Sequence, residues 1–294
     1  MINVWTTLES AFDVIIGNLR KAEKDLPEHP IQAIEGWWCL MDFLLFENQA
    51  INGEIVCQNL QRRAYTSPKA LDEHYRHLAE HDYVTENDGL FTITTNGQQA
   101  YLDYFSQKAD AYSKVTLLTD DDFQSFINFL KKGYEAGKVA EKPEHKPSMV
   151  LGKEFYTHIG GGQLGTMLGW INLFELYRDD VHASVWKGAG FTGIQIETLT
   201  QIWREVANTL EGLADDLAFR GYGVADYQSA LDDLVSKGYL LLDNGTYQFT
   251  QKGVDVREQI ETNTDKIFND FCADTFTEDE LVNFERIIKL IKQS

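Results

Sequence analysis

The sequence predicts a mainly α-helical protein with two copies of one domain, each carrying a small two-stranded hairpin. Seven positions between Leu78 and Gly97 recur 156 residues later, between Leu234 and Gly253, and five of the seven are identical. Each copy shows the order helix, strand, tight turn, strand, helix. A repeat this long is not a solenoid, whose units span about 20–50 residues. A chain of 294 residues is also the length expected for two domains.

Three predicted helices begin the first copy. Residues 3–25 place apolar side chains at helical spacing and predict an amphipathic lead helix, which Pro27 and Pro30 end. Residues 31–47 predict a strongly apolar second helix, and a short third helix is expected at residues 53–60.

A helix, a hairpin and two more helices complete the first copy. Ser67 supplies a capping hydroxyl and Pro68 suits the first helical position, so a helix is predicted from Ser67 to Glu80. The segment Asn87-Asp88-Gly89 is a turn signal between two short strands. The predicted elements that follow are strands at 84–86 and 90–94, a helix from Thr94 to Tyr112, and a helix capped by Thr119.

The second copy follows a predicted linker. Residues 137–149 contain two of the five prolines and little that is apolar. The predicted organisation is therefore a lead helix at 1–30, a first domain at 31–136, the linker, and a second domain at 150–294. The elements predicted for the second domain are helices at 164–177, 196–217, 225–237 and 254–271, a loop with a short helix at 178–195, strands at 239–242 and 247–250, and a last helix capped by Thr277. The fold class is mainly α with small β-wings, as two tandem winged-helix domains that form a single-chain pseudo-dimer.

The composition narrows the classes of partner. The formal net charge is −20, from 26 basic and 46 acidic residues, whereas DNA affinity depends on Lys and Arg that neutralise phosphates. DNA is therefore a possible partner that the charge disfavours.

Cys39, Cys57 and Cys272 form neither a disulfide framework nor a zinc pattern. With no apolar run long enough for a membrane span and no signal peptide, we expect a cytoplasmic protein with no cofactor and no metal site.

The motifs of the hairpin region resemble the MarR family of winged-helix regulators. The shared pattern is strand, turn, strand, then Thr-x-x-Gly opening a long helix, and finally a capped acidic helix. The resemblance implies that the first and last helices form a dimer interface, with a small-molecule pocket between it and the DNA-binding lobe. Within residues 165–290, the segments Arg178-Asp179-Asp180-Val181-His182, Gly190–Gly193, Arg220-Gly221-Tyr222 and Glu261-Thr262-Asn263-Thr264-Asp265 resemble the SalK-like tandem proteins near antibiotic biosynthesis clusters.

A DNA-binding regulator is one hypothesis. In this class, the helix before the first strand reads DNA and the wing contacts phosphate. Residues 55–76 carry a net charge of +2, and residues 211–232 carry −4, while neither wing turn contains Lys or Arg. A protein that binds DNA through two symmetry-related helices needs a positive charge on both of them. In this chain, at most one of the two segments has it. The candidate DNA-binding residues are Arg62, Arg63, Lys69 and Arg76, of which Arg62 and Arg63 can also be interpreted as a solvated helix end.

The leading hypothesis is a repurposed regulator fold that binds a small apolar or aromatic ligand, or a protein partner, with DNA contact weakened or lost. Aromatic side chains crowd equivalent segments of the two copies and could line a pocket, although plain core packing is the alternative interpretation. The candidate ligand-binding residues are Trp37, Trp38, Trp170, Tyr177, Arg178, Arg220 and Tyr227.

An enzyme is the third hypothesis, and the sequence does not favour it. Asp180 and His182 lie two residues apart in a predicted loop, where a carboxylate could orient an imidazole for acid–base chemistry. The alternative is a hydrogen-bonded loop anchor. The spacing of His74, His77 and His81 fits one helix face, which we interpret as solvent-exposed rather than metal-binding. His158 is isolated and receives no role.

Overall fold

The computed structural model describes residues 3–151, 153, 156 and 160–294. In this part of the chain the protein is mainly helical, with two separate two-stranded antiparallel hairpins. This confirms the predicted class of mainly α with small β-hairpins. The division into two tandem domains, with a linker at 137–149, stays a prediction. Within the described residues, no helix combines the length and the apolar character that a membrane span requires.

The two N-terminal helix predictions were wrong in detail. The lead helix is two helices, α1 (Val4–Glu9) and α2 (Phe12–Glu23), and the Ser10 hydroxyl donates to the Thr7 carbonyl (2.7 Å) where α1 ends. The predicted helix at 31–47 consists of two 3-10 turns, Pro30–Ala33 and Trp37–Cys39, followed by α3 (Leu40–Leu45). Gly36 separates the turns with a left-handed φ of 77°, which interrupts any continuous helix.

The next elements agree with the sequence. Helices α4 (Gly53–Asn59) and α5 (Pro68–Glu80) precede an antiparallel hairpin of β1 (Val84–Asn87) and β2 (Leu90–Ile93). The Ser67 side chain caps α5 by accepting from the Ala70 N–H. Asp88 and Gly89 both have positive φ, as a two-residue type I′ turn requires.

Two long helices follow the first hairpin. Helix α6 (Thr95–Tyr112) is capped by Thr94, and α7 (Asp120–Val139) is capped by Thr119. Helix α7 therefore continues three residues into the segment predicted as a linker. A 3-10 turn at Ser148–Val150 occupies the end of that segment.

Two predictions for the middle of the chain were wrong. Helix α8 (Gly162–Gly188) continues eleven residues beyond its predicted end, so the predicted loop after Tyr177 is helical. Buried Ala183 and Trp186 explain this, because they extend the apolar face of the helix into a second core. The predicted helix at 196–217 is divided into α9 (Gly193–Trp203) and α10 (Leu210–Asp216), with Glu205 at positive φ between them.

The C-terminal elements repeat the order seen around the first hairpin. Helix α11 (Val224–Ser236) leads into β3 (Leu240–Asp243) and β4 (Thr246–Phe249), which pair antiparallel. Helices α12 (Gln251–Thr275) and α13 (Glu278–Ile291) follow, and a capping box at Thr277 opens the last. Each hairpin also receives one further backbone contact, with Ile51 bonded to Phe91 and Tyr247 bonded to Asn208.

The main core lies where helices from both ends of the chain meet. Phe129 of α7 stacks on Phe276 and Phe284, with ring centroids 3.8 and 4.3 Å apart. Gly133 allows α7 to approach α8 closely, since a Cβ there would lie 2.4 Å from the Phe174 ring. The first and last parts of the chain are therefore joined in one core, and a smaller core forms around Trp186.

Candidate functional site

The N-terminal end of α5 packs against the loop that leads into α11. The Ser67 N–H donates to the Arg220 carbonyl (2.8 Å), and the Tyr222 hydroxyl donates to the Thr66 carbonyl (3.2 Å). A Cβ on Gly221 would lie 2.1 Å from the Ala70 Cβ. Thr66 and Ser67 are buried in this junction. The end of α5 that would enter a DNA groove therefore faces the second half of the same chain.

Two of the four predicted DNA-binding residues point into the protein. The Arg63 Nε donates to Asp42 Oδ1 (3.1 Å), and the Tyr75 hydroxyl donates to Asp42 Oδ2 (3.0 Å). Burial raises the pKa of Asp42, although the Arg63 charge opposes that rise. The Arg62 guanidinium lies 5.6 Å from the Tyr156 ring centroid and is largely buried. The solvated helix end expected for this pair is therefore wrong.

The other two predicted DNA-binding residues remain on the surface. Lys69 is largely exposed and lies 3.8 Å from Glu73. Arg76 lies 3.7 Å from Glu86, and its guanidinium sits over the Phe91 ring. These two cations are available to an external partner.

The predicted aromatic pocket does not form as one site. Its aromatic members pack in separate places: Tyr177 is buried against Phe271, whereas Trp38 is 42% exposed. Each of the five contacts a different element. The neighbours are Tyr104 for Trp37, His74 for Trp38, Tyr134 for Trp170, Phe271 for Tyr177 and the Leu217 carbonyl for Tyr227.

The structure also separates Asp180 from His182. Both lie on α8, where residues two apart point to nearly opposite faces. The Asp180 carboxylate accepts from the backbone N–H groups of Ser148 and Met149, both at 3.1 Å. Burial raises the pKa of Asp180 to about 6 against these hydrogen bonds. The predicted acid–base pair in a loop was wrong in both its local structure and its contact.

Three of the predicted polar residues instead share a cleft with residues that the sequence did not single out. Arg178, His182 and Arg220 line a cleft of about 430 Å³ between α1, α8, α9 and α12. The cleft also contains the side chains of Trp5, Glu9, Tyr65, Glu197, Arg204, Arg257, Glu261 and Asp265.

Ion pairs and one stacked guanidinium organise this cleft. Arg178 lies over the Trp5 ring at 4.6 Å, and its Nη2 is 3.6 Å from Asp265 Oδ1. Arg220 donates from Nε and Nη2 to Glu197 Oε1, at 2.9 and 2.6 Å. These contacts place charged groups of both signs around an open volume.

His182 is a neutral member of the cleft. Burial lowers its pKa to about 4, an effect that Arg178 and Arg257 strengthen and Glu261 opposes. Its Nδ1 lies 3.2 Å from the Thr264 hydroxyl oxygen. The imidazole is therefore uncharged at neutral pH.

A second cavity of about 330 Å³ adjoins the first and shares Tyr65 and Arg220 with it. Arg62, Glu175 and Asp179 also line it. Burial raises the pKa of Glu175 to about 7, Asp179 adds to the rise, and Arg62 opposes it. The charges buried here belong to elements from both halves of the chain.

Sequence reasoning missed Trp5, Tyr65 and Arg257 as members of the cleft. One signal was present, since Arg178 and His182 are four residues apart, as are Arg257 and Glu261. That spacing places each pair on one helix face, but only if the segment after Tyr177 is helical.

The described residues contain no group of three or more His, Cys, Asp or Glu that could hold a metal ion. His77 and His81 contact each other with ring centroids 5.0 Å apart, and His77 lies 3.1 Å from Glu80. His158 lies outside the described residues.

A comparison with protein families finds a match in the second half of the chain. Residues 165–293 match a family described as a helix-turn-helix family. Among solved structures, the oxidized form of MarR from E. coli matches with 20% sequence identity and a TM-score of 0.30, covering 42% of this chain and 90% of that chain. No curated protein matches the chain. The family match and the β3–β4 hairpin between α11 and α12 indicate a regulator-type winged helix-turn-helix fold.

Proposed function

We propose that this chain is a tandem winged-helix protein that binds a small molecule in the cleft lined by Arg178. We also propose that it no longer binds DNA through two recognition helices related by a two-fold axis. The observation that carries the proposal is the junction between α5 and the loop before α11, with the Ser67 N–H bonded to the Arg220 carbonyl. In the proposed tandem arrangement, α5 and α11 are the two reading helices.

The spacing of the two helices argues against two-fold DNA reading. The Cα atoms of Ala70 and Gly221 lie about 5 Å apart at this contact, and three extended residues from Gly221 to Val224 add at most about 10 Å. Ala70 lies in the first turn of α5, so this turn is no more than about 15 Å from the start of α11. Dimeric helix-turn-helix proteins place their reading helices in half-sites about 34–36 Å apart, and contact bases from the helix N-termini.

The charge of the second half supports the same proposal. Residues 211–232 carry a net charge of −4, and Arg220, their one cation, is paired with Glu197. Exposed apolar side chains occupy β3, where Leu242 is 55% exposed. Residues 211–232 and β3 therefore offer no unpaired cation that could neutralise a DNA phosphate.

The volume of the cleft supports ligand binding, and its lining indicates a different kind of ligand from the one that the sequence predicted. Its volume of about 430 Å³ lies within the range of small-molecule sites. Its lining is mainly charged, with Trp5 and Tyr65 as aromatic walls. We therefore propose a polar ligand with room for an aromatic part, rather than the purely apolar one expected from the sequence. The three free cysteines fit the proposed cytoplasmic setting.

Exposed Lys69 and Arg76 favour a second candidate, a one-sided contact of α5 with DNA. Fluorescence anisotropy with random and upstream duplex DNA at about 50 and 200 mM salt distinguishes the candidates, because phosphate contacts weaken steeply over that range. We expect no tight sequence-selective binding. A weak contact that Lys69→Glu abolishes would support the one-sided candidate, and tight salt-steep operator binding would contradict our proposal.

A further inference from the structure

The two hairpins of the chain differ in the middle of their outer strands. Thr85 and Glu86 of β1 correspond to Leu241 and Leu242 of β3, 156 residues later. In the first hairpin, Glu86 lies 3.7 Å from Arg76, and charges of this kind oppose pairing at the edge of a sheet. In the second hairpin, Leu241 is 41% exposed and Leu242 is 55% exposed. Apolar side chains therefore replace the charge that protects the first outer strand.

One side of β3 is open to an added strand. On β4, the Tyr247 N–H donates to the Asn208 carbonyl (2.7 Å), so it points away from β3. Tyr247 is the partner of Leu242 in the antiparallel pair, and this pair is therefore a non-hydrogen-bonded one. The N–H and carbonyl of Leu242 consequently point away from β4, as do those of Leu240 two residues earlier. No described residue forms a backbone hydrogen bond with these outward groups.

Side chains on both faces of β3 would contact an added strand. Leu242 shares a face with Tyr247, whose hydroxyl lies 3.4 Å from the Gln228 Nε2 of α11. Leu241 points to the opposite face, since side chains alternate along a strand. Strand addition takes its affinity from backbone hydrogen bonds and its specificity from contacts with alternate side chains. The open side of β3, which we call the β3 edge, offers both.

The charges around β3 give the added strand a direction. Asp243 ends β3, and Asp232 bonds to Gln228 (2.8 Å), so carboxylates lie toward the hairpin turn. At the other end of β3, Lys252 lies over the ring of Tyr239, which directly precedes the strand (4.6 Å). An antiparallel strand begins at the turn end, so a basic residue belongs before its apolar positions. The net charge of −20 also attracts a cationic segment at long range.

We propose that the β3 edge docks an extended segment of a partner protein, which adds as an antiparallel strand. The segment carries Lys or Arg, followed by β-branched residues at the positions beside Leu242 and Leu240. A second copy of the chain fits less well, because each copy carries −20 and β3 contains no cation. The proposal goes beyond the function proposed for the cleft and does not depend on it, since no residue of β3 lines the cleft.

A synthetic peptide probes the β3 edge. The probe is fluorescein-Lys-Lys-Val-Thr-Val-Thr-Val-amide, and its fluorescence anisotropy is measured with the full chain. We expect saturable binding, with the Val side chains on the apolar face that Leu242 shares with Tyr247. In that register the Val N–H groups point toward β3 and the Thr N–H groups point away.

Two methylated versions of the probe test strand pairing. Methylation of the Val backbone nitrogens removes the donors that face β3 and should weaken binding at least about tenfold. Methylation of the Thr backbone nitrogens should leave the affinity within about twofold, because those N–H groups face solvent. Charge and apolar contact are the same in the two versions, so the difference between them reports the backbone hydrogen bonds.

Variants of the chain locate the contact. Leu241→Thr combined with Leu242→Glu gives the second hairpin the residues that the first already carries, so we expect this variant to fold. It should weaken probe binding at least about tenfold, because both apolar contacts are lost. Thr85→Ala combined with Glu86→Ala in the first hairpin is the matched control and should leave binding unchanged. Asp243→Asn should weaken binding about two- to fivefold, the effect of one exposed ion pair.

Several outcomes would overturn the proposal. One is a probe that does not bind at millimolar concentration, or that binds the Leu241→Thr, Leu242→Glu variant as tightly as the native chain. Equal affinities of the two methylated probes would show a contact without strand pairing. Sedimentation velocity on the chain alone tests the other occupant. A dimer that Leu242→Glu dissociates would show that β3 pairs with a second copy instead of a partner protein.

Discussion

Replacing Asp180 distinguishes a structural carboxylate from a catalytic one. Its two oxygens accept from the backbone N–H groups of Ser148 and Met149, and all three residues are buried. Asp180→Ala leaves both N–H groups without an acceptor, which costs about 2–6 kcal/mol. Part of this free-energy cost is offset because the variant no longer buries a charged carboxylate. We therefore expect a loss of about 2–3 kcal/mol at pH 7.

The pH dependence of this loss follows from the pKa of Asp180, which burial raises to about 6. A raised pKa in the folded state means that the carboxyl contributes most stability when protonated. That contribution is present below the unfolded value of about 4 and is lost as pH rises through 6. The deficit of Asp180→Ala should therefore be larger at pH 5 than at pH 7.

Urea unfolding followed by circular dichroism measures both effects. Ser184→Ala is the matched control, because it removes only a hydrogen bond to the Val181 carbonyl within the same helix. A change of less than about 0.5 kcal/mol for Asp180→Ala, as at ordinary surface sites, would refute the anchoring role.

Three further perturbations test the packing and the buried charges. Glu175→Gln should stabilise the protein by up to about 3 kcal/mol at pH 8 and by much less at pH 5, because the folded pKa of about 7 makes ionised Glu175 unfavourable. Equal urea midpoints for the variant and the native chain at both pH values would contradict this. Gly133→Ala should cost about 1–3 kcal/mol by forcing a Cβ against the Phe174 ring, and an unchanged melting temperature would argue against that close approach. Tyr222→Phe should cost about 0.5–1.5 kcal/mol through loss of its bond to the Thr66 carbonyl, and no measurable change in the urea midpoint would speak against the junction.

Features fixed by neighbouring residues could be predicted from the sequence. The hairpin turn at Asp88-Gly89 and the caps at Ser67, Thr119 and Thr277 depend on residues within a few positions. Local preference for turn and cap residues decides these elements.

Features fixed by distant residues could not be predicted. Helix α8 continues past Tyr177 because Trp186 is buried in a core built from α9, α11 and the second hairpin. Arg63 turns inward because Asp42, 21 residues earlier, needs a partner in the core. The cleft combines the first helix with α8, α9 and α12, a juxtaposition with no local signal.

The distance between the starts of α5 and α11 tests the central claim most directly. Spin labels at Lys69 and Val224, both exposed, report short distances by dipolar broadening of the continuous-wave spectrum and long ones by double electron–electron resonance. The labels are placed in a Cys57→Ser background, since Cys39 and Cys272 are buried. We predict one narrow distribution well below about 34 Å, unchanged when duplex DNA is added. A main population at about 34 Å or more, alone or with DNA, would show that the two helices separate to read successive grooves and would contradict the account.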